Sequence, residues 1–270
     1  MQRSISGNGE DVLIHTLQPD SGGACFTWRL AHYAPGSRMP MHCHEEAHFS
    51  ILLAGQAREC TLSGDFESKP FLMELKPAGF RHANRFGPDG ALLLSITIRS
   101  DGPMADDALP IHQWRLRCGE RLRNEWRFMA RSISSFEDCL VDDLEAVTFD
   151  LLSTFLDCDT GRAKTTPPSW LMRAREAVIE GDESVCEIAR EAGVHRVHLA
   201  RSFKHHFLQS VTQCRRNVRL ARAVRLLLRD AAPAGIASLD AGFSDQPHMT
   251  RTMSQELGLT PSILRSAFAA

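Results

Sequence analysis

The stretch Ser184-Val185-Cys186-Glu187-Ile188-Ala189-Arg190-Glu191-Ala192-Gly193-Val194-His195-Arg196-Val197-His198-Leu199-Ala200-Arg201-Ser202-Phe203 decides how the chain is read. Ser184 stands where it can cap a short helix. Ala189 is small, as a second helix crossing over it requires. Gly193 can take the left-handed conformation that a tight turn between two helices demands. Val194, Leu199 and Phe203 then pack the second helix back on the first. The outer face of that second helix carries His195, Arg196, His198 and Arg201. Such side chains suit phosphates and guanine edges in a DNA major groove.

The pattern returns from Ala234 to Met253. Gly242 marks the turn, Ser244 or Asp245 caps the next helix, and Pro247 falls in its first turn, where proline is tolerated. Gln246, His248 and Arg251 are the expected outward groups. Between the two patterns, Val211–Arg229 reads as one long basic helix with Val218, Ala221, Val224 and Leu228 on a face. Such a connector would hold two reading heads about one DNA turn apart, roughly 34 Å.

Residues 168–265 resemble the C-terminal DNA-binding domain of the AraC/XylS family. The resemblance is carried by Trp170-Leu171, by Ile188 to Val194, and by Leu199-Ala200-Arg201-Ser202-Phe203-Lys204. It continues through Ala221-Arg222-Ala223, Leu226-Leu227-Leu228, Ala241 to Gln246, and Leu257-Gly258-Leu259-Thr260-Pro261-Ser262. It implies a transcriptional regulator with two helix-turn-helix units. There are departures. Ala234 and Ala237 stand where the family has large aliphatics, and Gly235 lowers helix propensity by up to about 1 kcal/mol. Met249 and Met253 replace aromatics, and Val211-Thr212 replaces the usual Ser-Pro. A softer second unit is expected.

The first hundred residues have a different texture. Glycines and prolines recur from Pro35 to Gly90, with short apolar runs such as Phe49–Ala54 and Ala91–Ile98 between them. Regular short strands of this kind suggest a sandwich or barrel. Within them lies Gly36-Ser37-Arg38-Met39-Pro40-Met41-His42-Cys43-His44-Glu45-Glu46-Ala47-His48, and later Pro77-Ala78-Gly79-Phe80-Arg81-His82. In a strand, His42 and His44 point the same way. With a third imidazole from a neighbouring strand they would form a site for a divalent transition metal, Zn, Ni, Fe or Mn. The two segments resemble the two cupin motifs, which implies His42, His44, His48 and His82 as metal ligands. His48 stands where many cupins have glutamate, and Phe71 stands where the second motif begins with glycine. An organic effector in the same pocket, or a structural role for the histidines, remains open at this stage.

The middle of the chain, from about residue 108 to 160, reads as helical. Phe136, Leu140, Leu144, Val147, Leu151 and Phe155 recur at steps of four and three, giving one apolar stripe. The stripe would pack on the barrel or against its twin in a homodimer. Gly161 to Pro168 reads as a linker. The expected fold class is therefore multidomain α+β. A cupin-like sensor barrel spans 1–105, a helical linker 106–165, and an all-α domain with two helix-turn-helix units 166–270.

Bulk composition agrees. The 270 residues are 43% hydrophobic and 24% charged, enough for a real core. The net charge of −2 hides an asymmetry: residues 166–270 carry 14 Lys and Arg against 10 Asp and Glu, residues 1–165 carry 17 against 23. Positive charge is where phosphates would be met. The first twenty residues hold Arg3, Glu10, Asp11 and Asp20, which fit neither a signal peptide nor a membrane span. The eight cysteines show no two-residue spacing, so a cytoplasmic protein with free thiols is expected. Cys43, between two histidines, and Cys60 raise a thiol redox sensor as an alternative. A metal-dependent cupin enzyme is another, with Glu45, Glu46 and Glu74 available as acid or base. The fused DNA-binding region favours sensing over catalysis. The expected partners are double-stranded DNA, a small-molecule or metal effector, a second copy of the chain and, for an activator, RNA polymerase.

Overall fold

Period-two alternation builds the N-terminal region. Phe26, Trp28 and Leu30, then Phe49, Ile51 and Leu53, then Leu92, Leu94 and Ile96, are all buried on one face. The computed structural model describes residues 14–17, 23–68, 70–102, 115–118, 123–134, 141–157, 167–181 and 183–269. The strands are β1 (Ile14–Leu17), β2 (Phe26–Tyr33), β3 (Arg38–His42), β4 (His48–Thr61), β5 (Gly64–Ser68), β6 (Leu72–Lys76), β7 (His82–Ile98) and β8 (Arg115–Cys118). All pair antiparallel in one sheet, in the order β1-β2-β7-β4-β6-β8, with β3 on β7 and β5 on β4.

The long strands β4 and β7 bend together. Their register slips between Leu52 and Ala54 and again between Gly55 and Ala57. Gly55 (φ +94) and Gly90 (φ +74) sit at the bend, and a Cβ on Gly55 would lie 2.1 Å from the Gly90 carbonyl oxygen. Only glycine permits that approach. The first half of β7 pairs with β3 and the second half with β2, so the bend brings β3 to the same strand as the main sheet.

Two helices cover the apolar face. α1 (Arg123–Ser134) buries Trp126, Met129, Ala130 and Ile133 in the core of the sheet. α2 (Val141–Asp157) buries Leu144, Leu151 and Leu152 there. The Trp28 indole donates to Thr148 Oγ1 at 2.9 Å, and the Cys25 amide donates to Glu145 Oε1 at 2.6 Å. Leu144, Val147 and Leu151 of the stripe read over 136–158 thus pack within the chain; Phe136, Leu140 and the Phe155 side chain lie outside what the structure describes. The stretch read as wholly helical also contains β8, which pairs with β6. Four residues carry too little periodicity to announce a strand, and the pairing edge of β6 decides it.

The remaining helices are α3 (Ser169–Glu180), α4 (Val185–Glu191), α5 (Arg196–Phe207), α6 (Val211–Leu228), α7 (Ala234–Asp240), α8 (Gln246–Leu257) and α9 (Pro261–Ala269). The chain groups into two compact units, Gly161–Arg219 and Met1–Thr160 with Leu220–Ala270, and the boundary falls within α6. The smaller unit has its own core of Leu171, Val178, Ile188, Leu199, Phe203 and Phe207. In the larger one, Ala237, Met249, Met253, Leu257 and Leu264 join the same core as α1 and the sheet. Arg123 of α1 pairs with Glu256 of α8, and its guanidinium lies 4.3 Å from the Phe71 ring centroid.

Candidate nucleic-acid interface and histidine cluster

Each helix pair is set by its turn. Ser184 Oγ accepts from the Glu187 amide while the Glu187 carboxylate accepts from the Ser184 amide, a reciprocal cap that starts α4. Gly193 (φ +65) reverses the chain and the Val194 amide donates to the Ala189 carbonyl at 2.9 Å. The second pair repeats this: Gly242 has φ +86, and the Phe243 amide donates to the Ser238 carbonyl at 2.9 Å. Asp245 caps α8, its carboxylate accepting from the His248 amide at 2.6 Å. Ala189 and Ala237 are buried where the helices cross.

The exposed faces differ in part from the sequence reading. Arg196 and Arg201 line a groove of about 830 Å³ along α5, together with Val197, Ala200, Lys204 and His205. Val197 is 43% exposed although apolar. His195 is exposed, but it is the cap of α5: its Nδ1 accepts from the Val197 amide at 3.3 Å. His198 lies outside that groove, its ring 5.5 Å from that of Trp170. On α8, Gln246 and Arg251 line a groove of about 530 Å³ with Pro247 and Thr250. His248 is half-buried, 3.0 Å from Ser244 Oγ, with its ring edge-on to Phe243. Sequence reasoning missed Val197, Ala200 and Pro247 because it looked for polar side chains, and it passed over the half-buried Thr250; their position in the helix was the available signal.

The histidines converge from three places on the sheet. His42 ends β3, His82 begins β7 opposite it in the register, and His44 follows in the loop held by the Gly79 amide donating to its carbonyl at 2.9 Å. Ring centroids are 4.3 Å apart for His42 and His82, 5.0 Å for His42 and His44, and 4.2 Å for His44 and His48. One ring nitrogen from each of His42, His44 and His82 lies within 4.8 Å of the others. His42 Nδ1 is 2.8 Å from the Pro40 carbonyl oxygen and His82 Nδ1 3.1 Å from that of Phe80. A carbonyl only accepts, so Nδ1 is the donor in both bonds. Burial, then the neighbouring cations, lowers the pKa of His44 to about 4, and burial and Lys76 do the same for His82. His48, buried deeper, is lowered further, and its Nδ1 has no hydrogen-bond partner among the described residues. A transition metal takes its imidazole ligands in the neutral form, which the lowered pKa of His44 and His82 favours.

A buried ionic group that the sequence did not announce lies beside them. Lys76, opposite His48 in the register, pairs with Glu59 at 2.9 Å and Glu74 at 3.3 Å, and Glu74 accepts from Ser68 Oγ at 2.5 Å. Burial opposes the charge on Lys76, but the two carboxylates outweigh it and raise its pKa. Burial, then Glu59, raises that of Glu74 against the pull of Lys76. Among the cysteines, Cys43 is exposed; burial and Asp65 raise the Cys60 thiol, which works against a reactive thiolate.

Residues 188–267 match a family model described as a helix-turn-helix domain. The chain carries an AraC-type helix-turn-helix domain. This AraC-type domain contains α5 and α8, the two helices whose exposed faces are described above. No curated protein matches the chain. Solved structures that resemble it include ToxT from Vibrio cholerae, at 11% identity and TM-score 0.37 over 91% of this chain and 100% of that one. The C-terminal domain of AraT, a response regulator from Geobacillus stearothermophilus, is 21% identical over 37% of this chain and 87% of that one, with TM-score 0.35. A cupin domain from Bordetella pertussis is 15% identical over 34% and 99%, with TM-score 0.28. No helix among the described residues is long and apolar enough to cross a membrane.

Proposed function

We propose that the protein is a sequence-selective, DNA-binding regulator of transcription whose sheet domain senses a divalent transition metal. The observation that carries the DNA reading is the groove on α5, which among the described residues no acidic side chain lines and which Arg196, Arg201 and Lys204 make positive. It lies within a helix pair matched as a helix-turn-helix domain. Fixed donors on a helix that fits a major groove give base selectivity, and the cations give affinity. The metal reading is supported by His42, His44 and His82, whose ring nitrogens converge, with Nδ1 of His42 and His82 anchored on backbone carbonyls; His48 stands beside them as a further ligand. A bound ion would draw β3, the loop at His44 and β7 together. Regulation follows if the ion binds one arrangement of the chain better than another. A chain with these reading faces is a regulator in this account and not an enzyme.

The test pairs metal analysis with DNA binding. Purified protein is expected to hold close to one divalent ion per chain, lost in a His42→Ala, His44→Ala variant. Chelation is expected to change affinity for selected DNA several-fold and metal to restore it. Protein without metal that still binds selected DNA would overturn the metal reading and direct the search to an organic effector.

A further inference from the structure

The face of the sheet that carries the histidines also carries an unpaired arginine. Residues opposed in an antiparallel register point to the same face, so side chains line up in rows across the strands. One row is Thr97, His48 and Lys76. The next is Arg29, Ser95, Ser50 and Glu74, and the third is Ala31, Leu93 and Leu52. On the opposite face of β7, Leu92, Leu94 and Ile96 are buried. On this face Leu93, Ser95 and Thr97 are only half-buried, although β7 lies between β2 and β4. Solvent therefore reaches the middle of the sheet beside His48. Arg29 is half-buried there, with Nη2 3.5 Å from the Tyr33 hydroxyl. Among the described residues, no carboxylate pairs with it. Two strand spacings, roughly 10 Å, separate its backbone from that of β4. An arginine and a histidine reaching over that gap leave room for one small group between them.

Charge decides what that group is. Neutral imidazoles bring no negative charge to an ion they hold. Glu59 and Glu74 are already engaged by Lys76, which shares the row of His48. Arg29 adds a further cation on the same face. Burying positive charge without a counter-charge is costly, so the loaded site calls for an anion. We infer that the sheet domain binds its metal together with a small organic carboxylate, which bridges the ion and Arg29. The inference rests on the metal site proposed above. A guanidinium fork matches a carboxylate, and the Ser95 and Thr97 hydroxyls beside it can donate to the same oxygens. An ion held by three imidazoles keeps a position open for an oxygen ligand. The half-buried Leu93 next to Ser95 offers an apolar surface to the body of the acid, which an inorganic anion would leave unused. Ion and acid then tighten each other by the same factor, and the domain responds to the two together.

The experiment titrates the full chain, stripped by chelator, with cobalt(II) and follows its visible absorption. The buffer holds no carboxylate or phosphate. The probes are butyrate and benzoate, their amides butyramide and benzamide, and inorganic phosphate. At least one of the two acids is expected to tighten cobalt about tenfold, the scale of one hydrogen bond to a charged group, and to shift the absorption bands. The amides and phosphate are expected to do neither. Arg29→Gln should bind cobalt alone at least as well as the native chain, which shows that it folds, and should lose the tightening. Arg29→Lys keeps the charge without the fork and should lose part of it. If cobalt binds but neither acid tightens it, or phosphate matches the acids, or the tightening survives in Arg29→Gln, this inference is overturned and the metal site stands. If cobalt does not bind at all, the metal reading falls and the inference with it.

Discussion

Replacing Gly258 by alanine tests the packing that joins the second helix pair to the sheet domain. Gly258 ends α8 at φ +74. A Cβ there would stand 2.5 Å from the Arg127 carbonyl oxygen and 3.0 Å from its carbonyl carbon and Cα. Those atoms belong to the backbone of α1 and cannot rotate aside. Gly193 is the control: its φ is +65, and a Cβ there meets nothing within 4 Å. A left-handed alanine costs about 1–2 kcal/mol at either site. The clash with α1 adds about 1–3 kcal/mol, the usual cost of overpacking. Gly258→Ala is therefore expected to lose about 2–5 kcal/mol and Gly193→Ala about 1–2 kcal/mol. Urea unfolding followed by circular dichroism and tryptophan fluorescence measures both. The two glycines lie in different compact units, so each change should appear in its own transition if two are resolved. Equal losses at the two sites would refute the close approach of α8 to α1.

Other consequences are simpler to state. Arg196→Ala and Arg201→Ala should each weaken binding to the enriched DNA by about 1–3 kcal/mol without changing the melting temperature, checked by fluorescence anisotropy and calorimetry. Metal-free protein should lose stability as the pH falls from about 6.5 to about 4. Unfolded imidazoles take up protons over that range while folded His44 and His82 do not, so denaturation midpoints should drop through it and level off below. Lys76→Met strands Glu59 in the interior and should cost about 3–5 kcal/mol in urea titrations. Leu208 closes α5 at φ +56 and is 41% exposed, so Leu208→Gly should raise stability by about 1 kcal/mol.

The sequence was most legible where local chemistry and tertiary structure agree. Ser184, Gly193 and Gly242 stand at caps and turns whose backbone needs are set within a few residues, and all three behave as read. The histidine cluster was legible only in part: the register of β3 with β7 opposes His42 and His82, but β3 ends at His42, so His44 arrives from the following loop and not by the strand alternation that the spacing suggested. Reading failed where a side chain takes its meaning from a distant strand. Lys76, Glu59 and Glu74 look like surface charges until the pairing of β4 with β6 and the bend at Gly55 bury them. Phe71 shows the same limit. It departs from the cupin glycine yet keeps a glycine-like φ of +61, while its buried ring lies under Arg123 from another element. The residues read as outward on α5 and α8 are exposed except His248, which is half-buried, and His195 and His248 also make local hydrogen bonds that their neighbours in the chain determine.

The most direct measurement is enrichment of random-sequence duplexes by the full chain, repeated with an Arg196→Ala, Arg201→Ala variant. The account predicts two enriched blocks for the native chain and loss of one of them for the variant, with salt weakening both. Equal recovery of all sequences, or a pattern indifferent to the two arginines, would contradict it.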